Sequence, residues 1–142
     1  MSARGAGRAP ADRVFLDANV LFSAAWRAES ALTRLWDEPG RRILITSTYA
    51  VAEAERNLPD AERRGRLERL LERTEIAVHS GGAPLPAGIT LPEKDRPILT
   101  AAIATRCTHL LTGDRAHFGP LLGKVVSGVR ILRPAEYLVR NG

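Results

Sequence analysis

The sequence has 142 residues, 44% hydrophobic and 26% charged, with 21 Lys+Arg against 16 Asp+Glu for a net charge of +5. That is globular composition, long enough for one domain burying roughly two-thirds of its unfolded-chain surface, and it excludes a disordered chain. No run approaches the ~20 apolar residues of a membrane span, MSARGAGRAPADR lacks the apolar stretch of a secretory signal, and the lone Cys107 excludes an internal disulfide and a Cys-rich zinc site, so a cytoplasmic protein is expected.

Residues 1–12 mix Arg4 and Arg8 with Gly, Ala and Pro and read as a flexible basic arm, followed by a single domain over 13–142. Val14-Phe15-Leu16, closed by Asp17, suits a strand buried on both faces. A helix is predicted over Asn19 to Trp26, and a second from Ser30 through Trp36, ending at Pro39-Gly40. Arg42 to Thr46 is the next strand, with Ser47 or Thr48 capping a helix over Tyr49 to Leu58. Asp60 to Arg73 reads as a charged, solvated helix with i,i+4 pairs; its five arginines are balanced by five acids through Glu75.

A third strand fits Glu75 to His79, and Gly81, Gly82, Pro84, Pro86, Gly88 and Pro92 mark an irregular connection. Pro97 launches a helix ending near Arg106, His109 to Thr112 is strand four, Val125 to Leu132 holds a fifth strand, and Pro134 to Val139 a last helix. Strands alternate with helices, which predicts an α/β fold: a three-layer α/β/α domain with a mostly parallel, about five-stranded sheet.

In an open parallel sheet, ligands bind outside the carboxyl ends of the strands, where the strand order reverses. Asp17 follows strand one and Asp114 follows strand four, while Glu53 lies early in the helix after strand two and Asp95 at the start of the helix before strand four. Each has an ordinary explanation. Asp17 and Asp95 suit helix caps, Asp114 a turn, and Glu53 a solvated face like that of Glu55. Four unrelated roles have no reason to select one edge of a sheet, however. Because clustered carboxylates cannot all ionise without a compensating cation, the pattern points to a hard divalent ion that activates water.

Cys107, His79, His109 and His117 offer no zinc spacing, and no Gly-rich phosphate loop or Walker lysine occurs. Arg115 and His117 are candidate phosphate contacts, with a surface arginine and a half-buried loop histidine as the ordinary alternatives. A phosphoacceptor receiver domain would need paired acids after strand one and a lysine after strand five; Asp17 has no acidic neighbour and Lys124 precedes its strand.

The segments VFLDANVLFSAAW, ITSTYAVAEAER, KDRPILTAAI and HLLTGDRAHF, in this order, resemble the PIN-domain family of metal-dependent nucleases, which includes VapC-type toxins of toxin–antitoxin pairs. The resemblance spans about residues 13 to 140. It implies Mg²⁺ or Mn²⁺, cleavage of RNA, an antitoxin partner and a homodimer. Asp17, Glu53, Asp95 and Asp114 match the family's acidic metal-binding residues, and Thr112 its polar residue beside the last acid. Asp17 and Asp114 are expected to hold the cation directly, with Asp95 and Glu53 completing its shell and Asn19, Ser47 and Thr112 orienting ligands or water. Glu53 and Glu55 point about 200° apart on a helix, so only one can face the site, and the spacing from Ser47 favours Glu53. The alternative is a non-catalytic nucleic-acid-binding module on the same fold.

Removing the −4 of the four acids from the +5 leaves a body at +9. A basic body around an acidic pocket attracts phosphates that the pocket alone would repel.

Overall fold

A computed structural model describes residues 11–78 and 84–141. Residues 1–10 of the expected arm, His79, and Gly81 and Gly82 of the irregular connection lie outside the described residues. The chain runs β1 (Asp12–Leu16), α1 (Ala18–Ala25), a 3-10 turn (Ala31–Trp36), β2 (Arg42–Ser47), α2 (Thr48–Asn57), α3 (Ala61–Leu71) and β3 (Glu75–Ala77). It continues through a 3-10 turn (Glu93–Asp95), α4 (Arg96–Ala104), β4 (His109–Leu111), α5 (Arg115–Phe118), a 3-10 turn (Gly119–Leu121), β5 (Val125–Val126), β6 (Val129–Leu132) and α6 (Pro134–Asn141).

The sheet order is β3-β2-β1-β4-β6-β5, parallel except for the β5–β6 pair. β1 thus sits centrally, with β2 and β3 added on one side and the later strands on the other. Strand order reverses between β1 and β4, whose carboxyl ends lie level through the Leu16–Leu111 register. Val14, Phe15 and Leu16 are fully buried, as an unbroken apolar run requires when helices cover both faces of a three-layer α/β/α sheet. Among the described residues no helix is long and apolar enough to cross a membrane.

Three local features differ from expectation. The expected fifth strand is split into a hairpin, which adds one antiparallel strand and gives the mostly parallel sheet six strands among the described residues. Ser127 and Gly128 both take left-handed backbone angles, φ 48° and 85°, which folds Val125–Val126 back onto Val129–Leu132 through a two-residue turn. The predicted helix after Ser30 is a 3-10 turn. The Arg42 guanidinium takes the Leu35 carbonyl at 3.1 Å, an acceptor a continuing α-helix would use, while the Trp36 indole donates to Leu70 O and Thr74 Oγ1. Finally, β1 starts at Asp12, before Val14, because Asp12 and Arg13 stay in register with Arg42 and Ile43.

The neutral arginine run on α3 is only partly solvated. Glu62 and Arg66 form the expected i,i+4 pair at 3.7 Å. Arg63 and Arg66 also turn towards α1 and donate to the Ala25 and Trp26 carbonyls at 2.9–3.0 Å, so two guanidinium groups close a helix end that has no C-terminal glycine. Arg63 lies over the Trp26 ring, 3.9 Å from its centroid.

Candidate metal centre

Asp17 ends β1 and opens α1. Its Oδ1 accepts the Ala18 amide at 2.6 Å, and its Oδ2 accepts the Thr112 hydroxyl at 2.8 Å and, more weakly, the Asn19 amide at 3.4 Å. The carboxyl is only 5% exposed. Burial outweighs these hydrogen bonds and, with Asp95 and Glu53 nearby, pushes its pKa from 3.8 to about 6. Thr112 also accepts the Asp114 amide at 3.0 Å, and Asn19 Oδ1 accepts the Gly113 amide at 2.8 Å. The loop after β4 is thereby tied to the start of α1 by the two polar side chains expected to orient the site.

Asp114 caps α5, accepting the His117 amide on Oδ1 at 3.0 Å. Its Oδ2 is left 2.9 Å from His117 Nδ1. The same nitrogen lies 2.9 Å from Asp95 Oδ2. Asp95 stands in the N-cap position of α4 yet makes no capping hydrogen bond. It is 8% exposed, and burial raises its pKa, with the His117 charge opposing and the Asp114 and Glu53 charges adding. Asp95 Oδ2 and His117 Nδ1 are both buried, and neither makes a hydrogen bond of acceptable geometry.

Glu53 is half-buried on α2 while Glu55 is exposed, as their opposed helical positions require. Its charge is felt by Asp17, Asp95 and Tyr49, so α2 turns this glutamate towards the other acids. Tyr49 donates to Lys94 O at 2.7 Å and ties α2 to the segment carrying Asp95. Ser47 is fully buried, and its hydroxyl accepts the Ala50 amide at 3.2 Å, capping α2. Arg115 is exposed beside Asp114.

The carboxyl oxygens of Asp95 and Asp114 and a His117 ring nitrogen lie within 4.8 Å of one another, close enough to share one cation. Asp17 and Glu53 stand outside this set; both Asp17 oxygens are already held by Thr112 and Ala18. The donor set fits a divalent cation, because two buried polar atoms lie 2.9 Å apart without satisfying each other. Zinc-type spacing gives no sign of His117, since its two companions come from separate segments. What the sequence does carry is Asp114-x-x-His117, one helical turn that brings both side chains to the same face.

No protein-family model and no curated protein sequence matches the chain. Solved structures do. A chain in VapBC2 from Rickettsia felis, crystallised bound to a DNA fragment from their promoter, superposes with TM-score 0.60 and 16% identity, covering 85% of this chain and 98% of that one. FitAcB from Neisseria gonorrhoeae gives TM-score 0.54 and 18% identity over 86% of this chain and 98% of its own. The PIN domain endonuclease Utp24 gives TM-score 0.47 and 21% identity over 75% and 74%. The chain shares the fold of the VapBC2 and FitAcB chains, as the resemblance to the PIN-domain family implies.

Proposed function

We propose that this PIN-fold chain is a divalent-metal-dependent endoribonuclease using Mg²⁺ or Mn²⁺ and the toxin of a toxin–antitoxin pair. Asp95 and Asp114 would hold the cation, and Asp17 and Glu53 would complete the acidic shell around it. The observation that carries this reading is Asp95, an aspartate in a cap position that forgoes its cap and keeps a buried, unpartnered oxygen beside Asp114. Leaving a buried polar atom unsatisfied costs about 1–3 kcal/mol, and a bound cation offsets that penalty.

A bound cation supplies an acidified water and neutralises charge growing on the phosphate. The chain's own residues do the rest. Thr112 and Ala18 fix the Asp17 carboxylate, Asn19 and Thr112 hold the loop that carries Asp114, and Glu53 faces the others from α2. Water oxygen adds in line to phosphorus, the bond to the leaving sugar oxygen breaks, the water's proton passes to a neighbouring carboxylate, and the leaving oxygen takes a proton from solvent water. The body at +9 draws the RNA backbone to an otherwise repelling pocket. An antitoxin partner and a homodimer belong to the same proposal; an arginine forking onto Asp95 and Asp114 would hold an inhibitory partner segment on the site.

The test is cleavage of a labelled RNA pool by pure protein in Mg²⁺, Mn²⁺ or chelator, beside Asp95→Asn, Asp114→Asn and Asp17→Asn. Metal-dependent cutting that the variants lose is expected. Cutting in chelator, or variants as active as the parent, would overturn the mechanism. RNA retention without turnover in every metal condition would identify a binding module.

A further inference from the structure

We propose that His117 Nδ1 is a direct donor to the cation, making a centre of two carboxylates and one imidazole that binds Mn²⁺ in preference to Mg²⁺. This rests on the metal-dependent reading of the same site and adds a ligand and a metal preference to it.

His117 Nδ1 lies 2.9 Å from Asp95 Oδ2 and 2.9 Å from Asp114 Oδ2. Both separations are short enough for the three atoms to share one cation. A protonated imidazole bridging the acids would be expected to aim its single Nδ1–H at one oxygen. Instead, Nδ1 and Asp95 Oδ2 are both buried and lack a hydrogen bond of acceptable geometry. A cation shared by the imidazole lone pair and the two carboxylate oxygens would satisfy both buried atoms at once.

The histidine is also held in place. Thr112 Oγ1 accepts the Asp114 amide, and Asp114 Oδ1 accepts the His117 amide, so a run of hydrogen bonds fixes the His117 backbone relative to the acid one turn before it. Asp95 is carried separately at the start of α4, where Pro97 lies in the first turn. An imidazole donor favours first-row transition ions, whereas Mg²⁺ prefers oxygen and gives up its water reluctantly.

Pulsed EPR of the Mn²⁺-loaded protein tests the bond without reference to activity. The parent should show nitrogen coupling to manganese, altered by ¹⁵N-histidine labelling and lost in His117→Gln. Calorimetric titration should show Mn²⁺ binding at least about tenfold tighter than Mg²⁺, with His117→Gln and His117→Ala weakening Mn²⁺ by about 10- to 100-fold and Mg²⁺ much less. Because the labelled parent carries the spectroscopic test, a variant that folds poorly does not remove it. Bound Mn²⁺ without nitrogen coupling, or an unchanged Mn²⁺/Mg²⁺ ratio in both variants, overturns the proposal and leaves the metal-dependent reading standing. Failure of the parent to bind either ion overturns both.

Discussion

Thr112 and Asp17, 95 residues apart in the chain, meet in a 2.8 Å hydrogen bond across the point where the sheet reverses its strand order. The threonine hydroxyl donates to one acid and accepts the backbone amide of another, Asp114. One buried oxygen thus sets the spacing between the two strand ends.

Replacing that hydroxyl by a methyl group isolates its contribution. Thr112→Val should destabilise the metal-free protein by about 1–3 kcal/mol, since it strips a buried carboxylate of its hydroxyl donor and orphans the Asp114 amide. Thr112→Ser should recover most of the loss. Urea unfolding in chelator measures both, and a valine variant as stable as the parent would contradict the role given to this bond.

The raised pKa of Asp17 has a defined sign. Its folded value, about 6, lies above the ordinary 3.8, so the folded state holds this proton more tightly. The stabilisation this gives is fully present below about pH 3.8 and is lost as pH rises through about 6, a swing of about 3 kcal/mol. In chelator, Asp17→Asn should therefore be more stable than the parent at pH 8, by up to that amount, and lose its advantage towards pH 4. Denaturation curves at the two pH values decide the matter; an advantage independent of pH would rule out the burial argument.

Glu53 and Glu55 offer a paired comparison on one helix. Glu53→Gln should lower metal-dependent cleavage by about 10- to 100-fold, in the range of groups that tune a metal site, and Glu55→Gln should leave it nearly unchanged. Initial rates at saturating Mn²⁺ test this. Equal losses in both variants would count against an inward role for Glu53.

Arg42 provides a control at the opposite edge of the sheet. Buried at the start of β2, it donates to Leu35 O at 3.1 Å, Asn141 O at 2.7 Å and the Tyr137 hydroxyl at 3.3 Å, with its guanidinium 5.5 Å from the Tyr137 ring centroid. Arg42→Met should cost about 2–4 kcal/mol of stability by orphaning two carbonyls, without changing Mn²⁺ affinity in the folded protein. Thermal unfolding and calorimetry together separate the two effects.

What could be read from the sequence follows from how local each signal is. Val14-Phe15-Leu16 and Arg42 to Thr46 announce buried parallel strands because burial on both faces leaves no polar alternation. The strand-end and helix-start positions of Asp17, Glu53, Asp95 and Asp114 follow from those strands and from helix periodicity. Other features depend on partners distant in the chain. The 3-10 turn before β2 reflects the Arg42 guanidinium, and Arg63 and Arg66 are drawn off a solvated face by the carbonyls of α1. Asp95 looks like a cap at the sequence level, and only its placement against His117 distinguishes it from one. The sequence offers His117 only as a phosphate contact or a half-buried loop histidine, because its distance from Asp95 along the chain has no fixed pattern.

The central position of β1 has a consequence for how the protein comes into being. As the chain emerges from the ribosome, Asp17 and Glu53 arrive early, already attached to β1, β2 and α2. Asp95, Asp114 and His117 arrive only with the segments around β4, which must then dock against the open edge of β1 across a long chain separation, a slow kind of contact to form. A growing chain therefore carries acids but no assembled centre.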